Sequence, residues 1–282
     1  MVAAYIDQEI EAISAATLKR RVAAIKFAHR IADLPNPAVA SVVHLALRRA
    51  ARRKRRRPTQ ASGLTAEMLS RILGDLPEKP ASLRDTALIS VGYDTLCRSC
   101  ELAAMRVEHL RKSAGGDWSV LVTRSKGDQV GDGRIGWLSP STVDRLRQWL
   151  ETADITEGPL FRALHLGRVS QRGLHLSSIR RLVKRAAQSV GIGEGTVKGL
   201  SGHSMRVGAA QDMLVAGFDA LAIMQAGGWK STNVLLRYVE NASTRALHER
   251  RWQFVSALSA GFQQRRQTPT VTTTQPAARQ TG

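Results

Sequence analysis

The sequence predicts a mainly α-helical protein with a small antiparallel β-sheet, organised as two lobes of unequal size. Apolar residues recur at helical spacing through most of the chain, which predicts amphipathic helices. One pair of alternating segments, residues 118–124 and 134–138, flanks a turn with three glycines and predicts a β-hairpin. A basic run near residue 50 separates a short helical segment from the longer remainder, so we expect a small helical domain followed by an α+β domain.

Length and charge narrow the class of protein. The 282 residues suggest one large domain or two modest ones. The formal net charge is +19 and the sequence pI is about 11.2, so the protein needs an anionic partner or must tolerate strong self-repulsion. Nucleic acid is the leading candidate for that partner, ahead of an acidic membrane surface or charge kept for solubility.

Other features exclude several classes. An apolar fraction of 43% argues against disorder throughout. No run of 18 apolar residues predicts a membrane span, and the N-terminus lacks the basic start and apolar stretch of a secretory signal. Two cysteines cannot form a disulfide framework in a chain of this length, which favours the reducing cytoplasm.

The first 57 residues form the predicted small lobe. Helical spacing covers residues 17–32, a break follows at Pro35 and Pro37, and a second helix runs from Ala38 into the basic run. Eight of the ten residues from 48 to 57 are basic, and Pro58 then begins a linker. The run is either a strap along nucleic-acid phosphates, a solvated helix face, or both. We favour phosphate contact for its last six basic residues, which are Arg52, Arg53, Lys54, Arg55, Arg56 and Arg57.

Residues 58–262 form the predicted larger domain, and residues 263–282 a polar, disordered tail. Thr65 and Ser82 are expected to cap the first two helices of this domain. Gly191 and Gly217 stand where left-handed helix stops are expected. Besides the hairpin, helices are predicted over residues 99–107, 140–150, 177–190, 204–216, 219–226, 232–240 and 243–260.

Several short patterns resemble known sites but are incomplete. Residues 228–231 look like the end of a phosphate-binding loop, yet Trp229 separates the glycine from the lysine. Residues 248–252 carry half of a zinc-protease motif, with Trp252 in place of the second histidine. Cys97 and Cys100 lack two further ligands nearby, so two partly buried thiols are expected rather than a metal or redox site. No metal site is predicted.

One ordered set of residues carries chemistry. Arg98 is followed three residues later by Glu101, Lys126 lies in the predicted hairpin turn, and His203 and Arg206 are three residues apart at a helix start. Trp229 and Tyr238 complete the set. The order Arg, Lys, His-x-x-Arg, Trp, Tyr resembles the tyrosine recombinases, the phage integrase family. The resemblance covers residues 64–260 well and residues 17–57 more loosely.

The residue types suit phosphodiester cleavage without metal or cofactor. Arg98 and Arg206 would neutralise the transition-state charge, since guanidiniums are planar and permanently charged. A tyrosine such as Tyr238 can attack phosphorus and keep the bond energy in a covalent ester.

The resemblance assigns the remaining roles. It implies His203 as base or proton relay, Lys126 as proton donor to the leaving oxygen, Trp229 as a phosphate contact and Glu101 as an orienting acid. Lys112 and Arg124 compete with Lys126, and each residue alone has an ordinary packing or surface role.

The resemblance also implies partners and architecture. Two lobes would clamp double-stranded DNA, with a dimer on each site and a homotetramer on two paired sites, in the cytoplasm at the nucleoid. The N-terminal segment is shorter than the family's helical core-binding (SAM-like) domain, and the last helix would dock on a neighbouring subunit or pack on its own domain. A non-catalytic DNA-binding relative and a nicking-sealing enzyme like a type IB topoisomerase are the alternatives.

Overall fold

The computed structural model describes residues 1–53, 60–75, 79–123, 133–242, 248–249 and 251–256. The chain divides into two compact units, Met1–Thr59 and Gln60–Gly282. In the described part of the chain, no helix is both long and apolar enough to cross a membrane.

The first unit is a small helical bundle. It contains α1 (Val2–Glu9), α2 (Ala15–Ile31) and α3 (Ser41–Arg53). The hydroxyl of Ser14 accepts a hydrogen bond from the amide of Thr17 at 3.1 Å and so caps the start of α2. Apolar residues from all three helices fill the centre; the fully buried ones are Ile6, Leu18, Ala46 and Ala50.

The second unit is built around two buried helices, α5 (Pro80–Asp94) and α10 (Ser204–Ala216). Both carry long runs of buried residues because other elements pack on most of their faces, and α5 and α10 also contact each other. The surrounding helices are α4 (Ala66–Asp75), α6 (Ser99–Ala103), α7 (Pro140–Thr152), α8 (Leu176–Ser189), α9 (Glu194–Gly199), α11 (Ala220–Gly227) and α12 (Thr232–Val239).

Two small antiparallel sheets complete this unit. Strands β1 (Leu110–Lys112), β2 (Trp118–Val122) and β3 (Arg134–Leu138) form one sheet in that spatial order. Strands β4 (Arg162–His165) and β5 (Arg168–Gly173) form a separate hairpin. The predicted fold class, mainly helical with a small antiparallel sheet, is therefore confirmed, although β1 and the β4–β5 hairpin were not predicted.

Several predicted boundaries need correction. Helix α5 begins at Pro80, not after Ser82, because proline is suited to the first helical position. The helix predicted over 99–107 ends at Ala103, and a 3₁₀ turn at Val107–His109 follows. Gly217 and Gly191 do adopt left-handed conformations, with φ of 90° and 69°.

Some predictions fall on residues that the structure does not describe. Residues 248–249 and 251–256 are helical, but the rest of the predicted helix 243–260 lies outside the described residues. The same holds for the tail 263–282, for the hairpin turn 124–132 and for residues 54–59 of the basic run and linker.

Candidate active site

Arg98 and Glu101 meet at the start of α6. The backbone turns sharply before this helix, where buried Leu96 adopts a left-handed conformation with φ of 51°. The Glu101 carboxylate accepts a hydrogen bond from the Arg98 amide at 3.0 Å and another from its guanidinium at 2.5 Å. The Glu101 side chain is fully buried whereas that of Arg98 keeps 23% of its surface exposed. Glu101 therefore fixes Arg98 while part of the Arg98 side chain stays exposed.

Arg134 is a second partner of Glu101 that the sequence analysis missed. Its Nη2 atom lies 3.8 Å from the Glu101 carboxylate and donates to the Thr95 carbonyl at 2.6 Å. Its Nη1 atom donates to the Ala226 carbonyl at 3.0 Å, at the end of α11. Arg134 thus ties β3 to the loop at Thr95 and to the end of α11. Nothing in the sequence separates it from the many other arginines of the chain.

Arg206 is the fully buried cation of the site. It lies on the first turn of α10 with no exposed surface, and its Nη1 atom donates to the carbonyl of Leu96. The guanidinium carbon stands 3.9 Å from the ring centre of Trp229 and 5.5 Å from that of Tyr238. Burial, together with the nearby positive charge of Arg98, lowers the pKa of Arg206 to about 10. It therefore stays positively charged at neutral pH.

Trp229 covers Arg206 from the end of α11. The helix stops at Gly228, whose φ of 66° is left-handed, and the Trp229 amide donates back to the Met224 carbonyl at 2.9 Å. A Cβ atom at Gly227 would stand 2.0 Å from the Trp229 ring, so a glycine is required for the ring to lie there. Trp229 is 5% exposed.

Three buried donors of this site have no hydrogen-bond partner within the described part of the chain. They are Nε and Nη2 of Arg206 and the indole nitrogen of Trp229. Buried polar groups are almost always paired, because an unpaired donor costs about 1–3 kcal/mol. Donors of this kind, on and beside a cation, fit an anion with several acceptor oxygens such as a phosphate.

His203 stands immediately before α10, at the wall of an open cleft that Arg98, Arg180 and Arg181 also line. The residue is exposed to the cleft, and its amide donates to the Ser201 hydroxyl at 3.1 Å. Desolvation of the ring, followed by the charges of Arg206 and Arg98, lowers its pKa below the ordinary 6.5. The imidazole is therefore neutral at pH 7 and can accept a proton.

Tyr238 lies on α12, with its ring edge-on to Trp229. The two ring centres are 5.0 Å apart and the planes meet at 65°. The residue is half-buried, and its hydroxyl makes no hydrogen bond to any residue that the structure describes. The phenol is thus beside the unpaired donors and available to react.

The structure brings together Arg98, Glu101, His203, Arg206, Trp229 and Tyr238, although 140 positions separate the first from the last. Lys126 and its competitor Arg124 lie outside the described residues, and Lys112 is exposed at the end of β1.

The other predicted sites are distributed differently. Of the basic run, Arg52 and Arg53 are exposed at the end of α3, with Arg53 paired to Glu11 at 2.9 Å, and Lys54 to Arg57 are not described. The expectation of two partly buried thiols is wrong for both cysteines, because Cys97 is fully buried and Cys100 is exposed. Among the described residues, no cluster of His, Cys, Asp and Glu could hold a metal ion.

Comparison with known proteins identifies the family. The phage integrase family matches residues 63–245, which is more than half of the chain, so the chain belongs to the phage integrase family. It is 33% identical over 252 residues to an integrase/recombinase XerD homolog of Selenomonas ruminantium, covering 85% of this chain and 72% of that protein. It is 28% identical over 248 residues to recombinase Cre of Escherichia phage P1, covering 80% and 70% of the two chains.

Solved structures share the fold. The XerH site-specific recombinase in a post-cleavage complex with a palindromic difH substrate aligns with a TM-score of 0.58 at 17% identity, over 90% of this chain and 72% of that one. The XerA recombinase aligns with a TM-score of 0.53 at 18% identity, over 90% and 87% of the chains.

Proposed function

We propose that this protein is a tyrosine site-specific recombinase, which cleaves and rejoins DNA through a 3′-phosphotyrosyl intermediate. Family membership and the recombinases among its relatives support this class of enzyme. The observation that carries the assignment to particular residues is the set of unpaired buried donors on Arg206 and Trp229 beside the Tyr238 ring. A scissile phosphate bound there would lie within reach of the phenol.

Cleavage is a substitution at phosphorus. The Tyr238 hydroxyl attacks, its proton passes to the neutral His203 imidazole or through it to solvent, and a new oxygen–phosphorus bond forms. The bond from phosphorus to the 5′ oxygen breaks, and that oxygen takes a proton from Lys126, so one proton is lost and one is gained. The reverse attack, by a 5′ hydroxyl of a partner duplex, completes strand exchange.

The two arginines stabilise the transition state. Arg206 is fixed by the Leu96 carbonyl and the Trp229 face, and Arg98 by Glu101. Cations held in place in this way need no reorganisation when charge develops on the phosphate oxygens. Glu101 acts through Arg98 and Arg134 and has no direct part in the chemistry.

The resemblance to the family also supports a proposal for how the protein assembles on DNA. Two domains would clamp double-stranded DNA: residues 1–57, a partial helical core-binding domain, and residues 58–262, the catalytic domain. The run from Arg52 to Arg57 would contact the phosphates. Residues 263–282 would form a disordered tail. A dimer would occupy each site, and four subunits would pair two sites through a Holliday junction. A DNA substrate supports a cytoplasmic location at the nucleoid, for a protein of bacterial origin or encoded by a phage or plasmid.

Covalent trapping tests this function. The full chain is incubated with a library of nicked duplexes of random sequence, and adducts that survive detergent are recovered and their DNA sequenced. We expect adducts with an enriched sequence, and their complete loss in Tyr238→Phe. Tyr5→Phe is the matched control, because Tyr5 lies in the other unit and its hydroxyl bonds only Arg21 among the described residues.

The outcomes separate the competing functions. An adduct that persists in Tyr238→Phe would refute the nucleophile. DNA binding without any adduct would indicate the non-catalytic architectural relative. Adducts together with relaxation of single supercoiled plasmids, but no exchange between paired sites, would indicate a nicking-sealing topoisomerase.

A further inference from the structure

The main-chain carbonyl of Tyr238 is bound by two glutamine side chains. A helix leaves its last four carbonyls without partners inside the helix, and α12 ends one residue later, at Val239. The Nε2 atom of Gln60 donates to the Tyr238 carbonyl at 3.1 Å, and that of Gln211 donates to it at 3.2 Å. The two donors come from segments about 150 positions apart in the chain.

Both glutamines are themselves held in place. Gln211 lies on α10 and is 6% exposed, and Gly63 packs so closely on it that a Cβ atom there would stand 2.3 Å from the Gln211 Oε1 atom. Gln60 accepts a hydrogen bond at its Oε1 atom from Asn241, just beyond α12, at 3.3 Å. The clamp therefore joins the nucleophile's backbone to α10, the helix that carries Arg206.

The segment that carries Gln60 is fixed at the end of α9 and at the start of α10. The Ser62 amide donates to the Gly199 carbonyl at 3.0 Å, and the Leu64 amide donates to the Ser204 carbonyl at 2.8 Å. A Cβ atom at Gly208 would stand 1.9 Å from the Leu64 carbonyl oxygen, so the two backbones are in contact. Residues 60–64 and α10 thus form one rigid support for the two amide donors.

Helix α12 is short and mostly half-buried or exposed. It spans eight residues, of which only Leu235 is buried, while Val234 and Val239 pack half-buried against the same apolar cluster, and no side chain caps its start. The Tyr238 phenol reaches the site through only two side-chain torsions, so a shift of the backbone moves the hydroxyl by a similar distance. A displacement of about 1 Å at a reacting group can cost about 100-fold in rate.

We propose that Gln60 and Gln211 are positioning residues, which hold the backbone of Tyr238 so that its phenol faces the phosphate site within its own subunit. This inference rests on the proposed function for its catalytic consequence, but not for its geometry. The glutamines do not touch the reacting atoms. They act through the main chain of the nucleophile.

Fluorine NMR tests the geometry without DNA. The chain has three tyrosines, so labelling with 3-fluorotyrosine gives three resonances, assigned by Tyr→Phe variants. In the double variant Gln60→Met, Gln211→Met, which keeps side-chain length but removes both donors, we expect the Tyr238 resonance to move towards the value of a solvent-exposed tyrosine as it leaves Trp229. Tyr93 is an internal control, because it donates to Asp212, the neighbour of Gln211, at 2.6 Å.

The outcomes of this measurement are distinct. An unchanged Tyr238 resonance in the double variant would overturn the proposal. A shift of the Tyr93 resonance as well would show that α10 itself had moved, which would also count against a local clamp. Gln188→Met, at an exposed position on α8, should leave all three resonances in place.

A pH series tests the catalytic consequence. In Gln211→Glu, burial raises the pKa of the new carboxyl group, and only its protonated form can donate to the Tyr238 carbonyl. Relative to the wild type, adduct formation by this variant should therefore fall as pH rises, towards the level of Gln211→Met. That level should lie between about tenfold and about 100-fold below the wild type, with DNA affinity unchanged.

The two proposals fail in different ways. A pH-independent ratio for Gln211→Glu, or wild-type adduct formation by Gln211→Met, would overturn the clamp while leaving the recombinase function intact. If the wild type forms no adduct but the fluorine resonance of Tyr238 moves as expected, the clamp geometry stands and the proposed function fails.

Discussion

Arg206 shows how a single residue can be held and yet remain available to bind an anion. One of its nitrogens donates to the Leu96 carbonyl and its flat face rests on Trp229, which leaves two nitrogens without partners in the described structure. The stacking on Trp229 depends on the planar shape of the guanidinium, which an ammonium group lacks. A positive charge alone therefore does not reproduce the contacts that Arg206 makes at this position.

Arg206→Lys should lower the rate of adduct formation by between about 100-fold and about 1,000-fold, comparable to the loss of a preorganised donor in other acyl- and phosphoryl-transfer sites. Lysine keeps the positive charge, but it loses the stacking on Trp229. It also lacks the fork of N–H donors with which a guanidinium can bind two phosphate oxygens at once. The measurement is single-turnover adduct formation at saturating protein. Arg168→Lys, on the exposed β4–β5 hairpin, is the control and should match the wild type. A loss of less than tenfold would contradict the role of Arg206.

His203 should make stability depend on pH. Its folded pKa lies below the ordinary 6.5, so the unfolded chain binds more protons as pH falls through 6.5. The free energy of unfolding therefore decreases on acidification through this value and levels off below the folded pKa. Urea unfolding across this range should show a smaller acid loss for His203→Gln than for the wild type. Equal losses would show that His203 is not desolvated as described.

The residue types of the site could be predicted from the sequence, whereas their supports could not. The order of Arg98, His203, Arg206, Trp229 and Tyr238 singled them out because this combination of residue types is rare. Arg134 was missed because one arginine in a hairpin carries no distinguishing pattern. The glutamine clamp was missed because a hydrogen bond to a main-chain carbonyl depends on which segments meet in three dimensions.

Among the elements, α10 contributes most to the geometry of the site, because it carries both Arg206 and Gln211 and packs against residues 60–64. This close approach requires Gly208. A side chain there would meet backbone, the Leu64 carbonyl at 1.9 Å, which cannot rotate away as a flexible side chain could. The contact is therefore a condition for the arrangement of the whole site.

Gly208→Ala should lower the free energy of unfolding by about 1–3 kcal/mol, the cost of overpacking, despite the better helix propensity of alanine. Gly74→Ala is the matched control, because Gly74 is also helical and a Cβ atom there meets nothing within 4 Å. That control should gain up to about 1 kcal/mol. Urea unfolding of both variants decides the matter, and an equal gain in both would show that the contact at Gly208 is not tight.

Elements with a regular apolar period were predicted well. The apolar residues of α7, α8 and α12 recur at helical spacing, and the β2–β3 hairpin alternates clearly. The β4–β5 hairpin was missed because its strands carry no apolar alternation. Instead, the buried side chain of Arg162 in β4 connects the two strands by a hydrogen bond to Gln171 in β5. It also donates to the Glu157 carbonyl, just before the hairpin. Such polar pairing across a hairpin has no signature in the sequence.

At the scale of the whole molecule, a large part of the net charge of +19 comes from one segment, because eight of the ten residues from 48 to 57 are Arg or Lys. The basic run lies at the end of the first unit, and the described part of it, Arg52 and Arg53, is exposed at the end of α3. The catalytic unit adds Arg180 and Arg181 along the open cleft beside Arg98. Charges of this kind bind phosphates without reading sequence, so they should set affinity and its salt dependence rather than the choice of site.

Neutralising part of the basic run should therefore change how DNA binding responds to salt. For Arg55→Gln, Arg56→Gln, Arg57→Gln, the slope of log affinity against log salt should become shallower by up to about 3, since each lost phosphate contact removes about 0.9. The measurement is a binding titration on one duplex at several salt concentrations. At low salt and saturating protein, adduct formation should stay near the wild-type rate, because we propose that these residues contact only the DNA backbone and take no part in the chemistry.

The control for this prediction carries the same change in net charge outside the run, as Arg20→Gln, Arg168→Gln, Arg172→Gln, all at exposed positions. If the run binds phosphates directly, the control keeps most of the wild-type slope, because counterions are released only where charges meet the backbone. An equal change of slope in both triple variants would show that the run contributes only to the overall field of the protein. In that case DNA affinity would depend on the catalytic unit and its cleft.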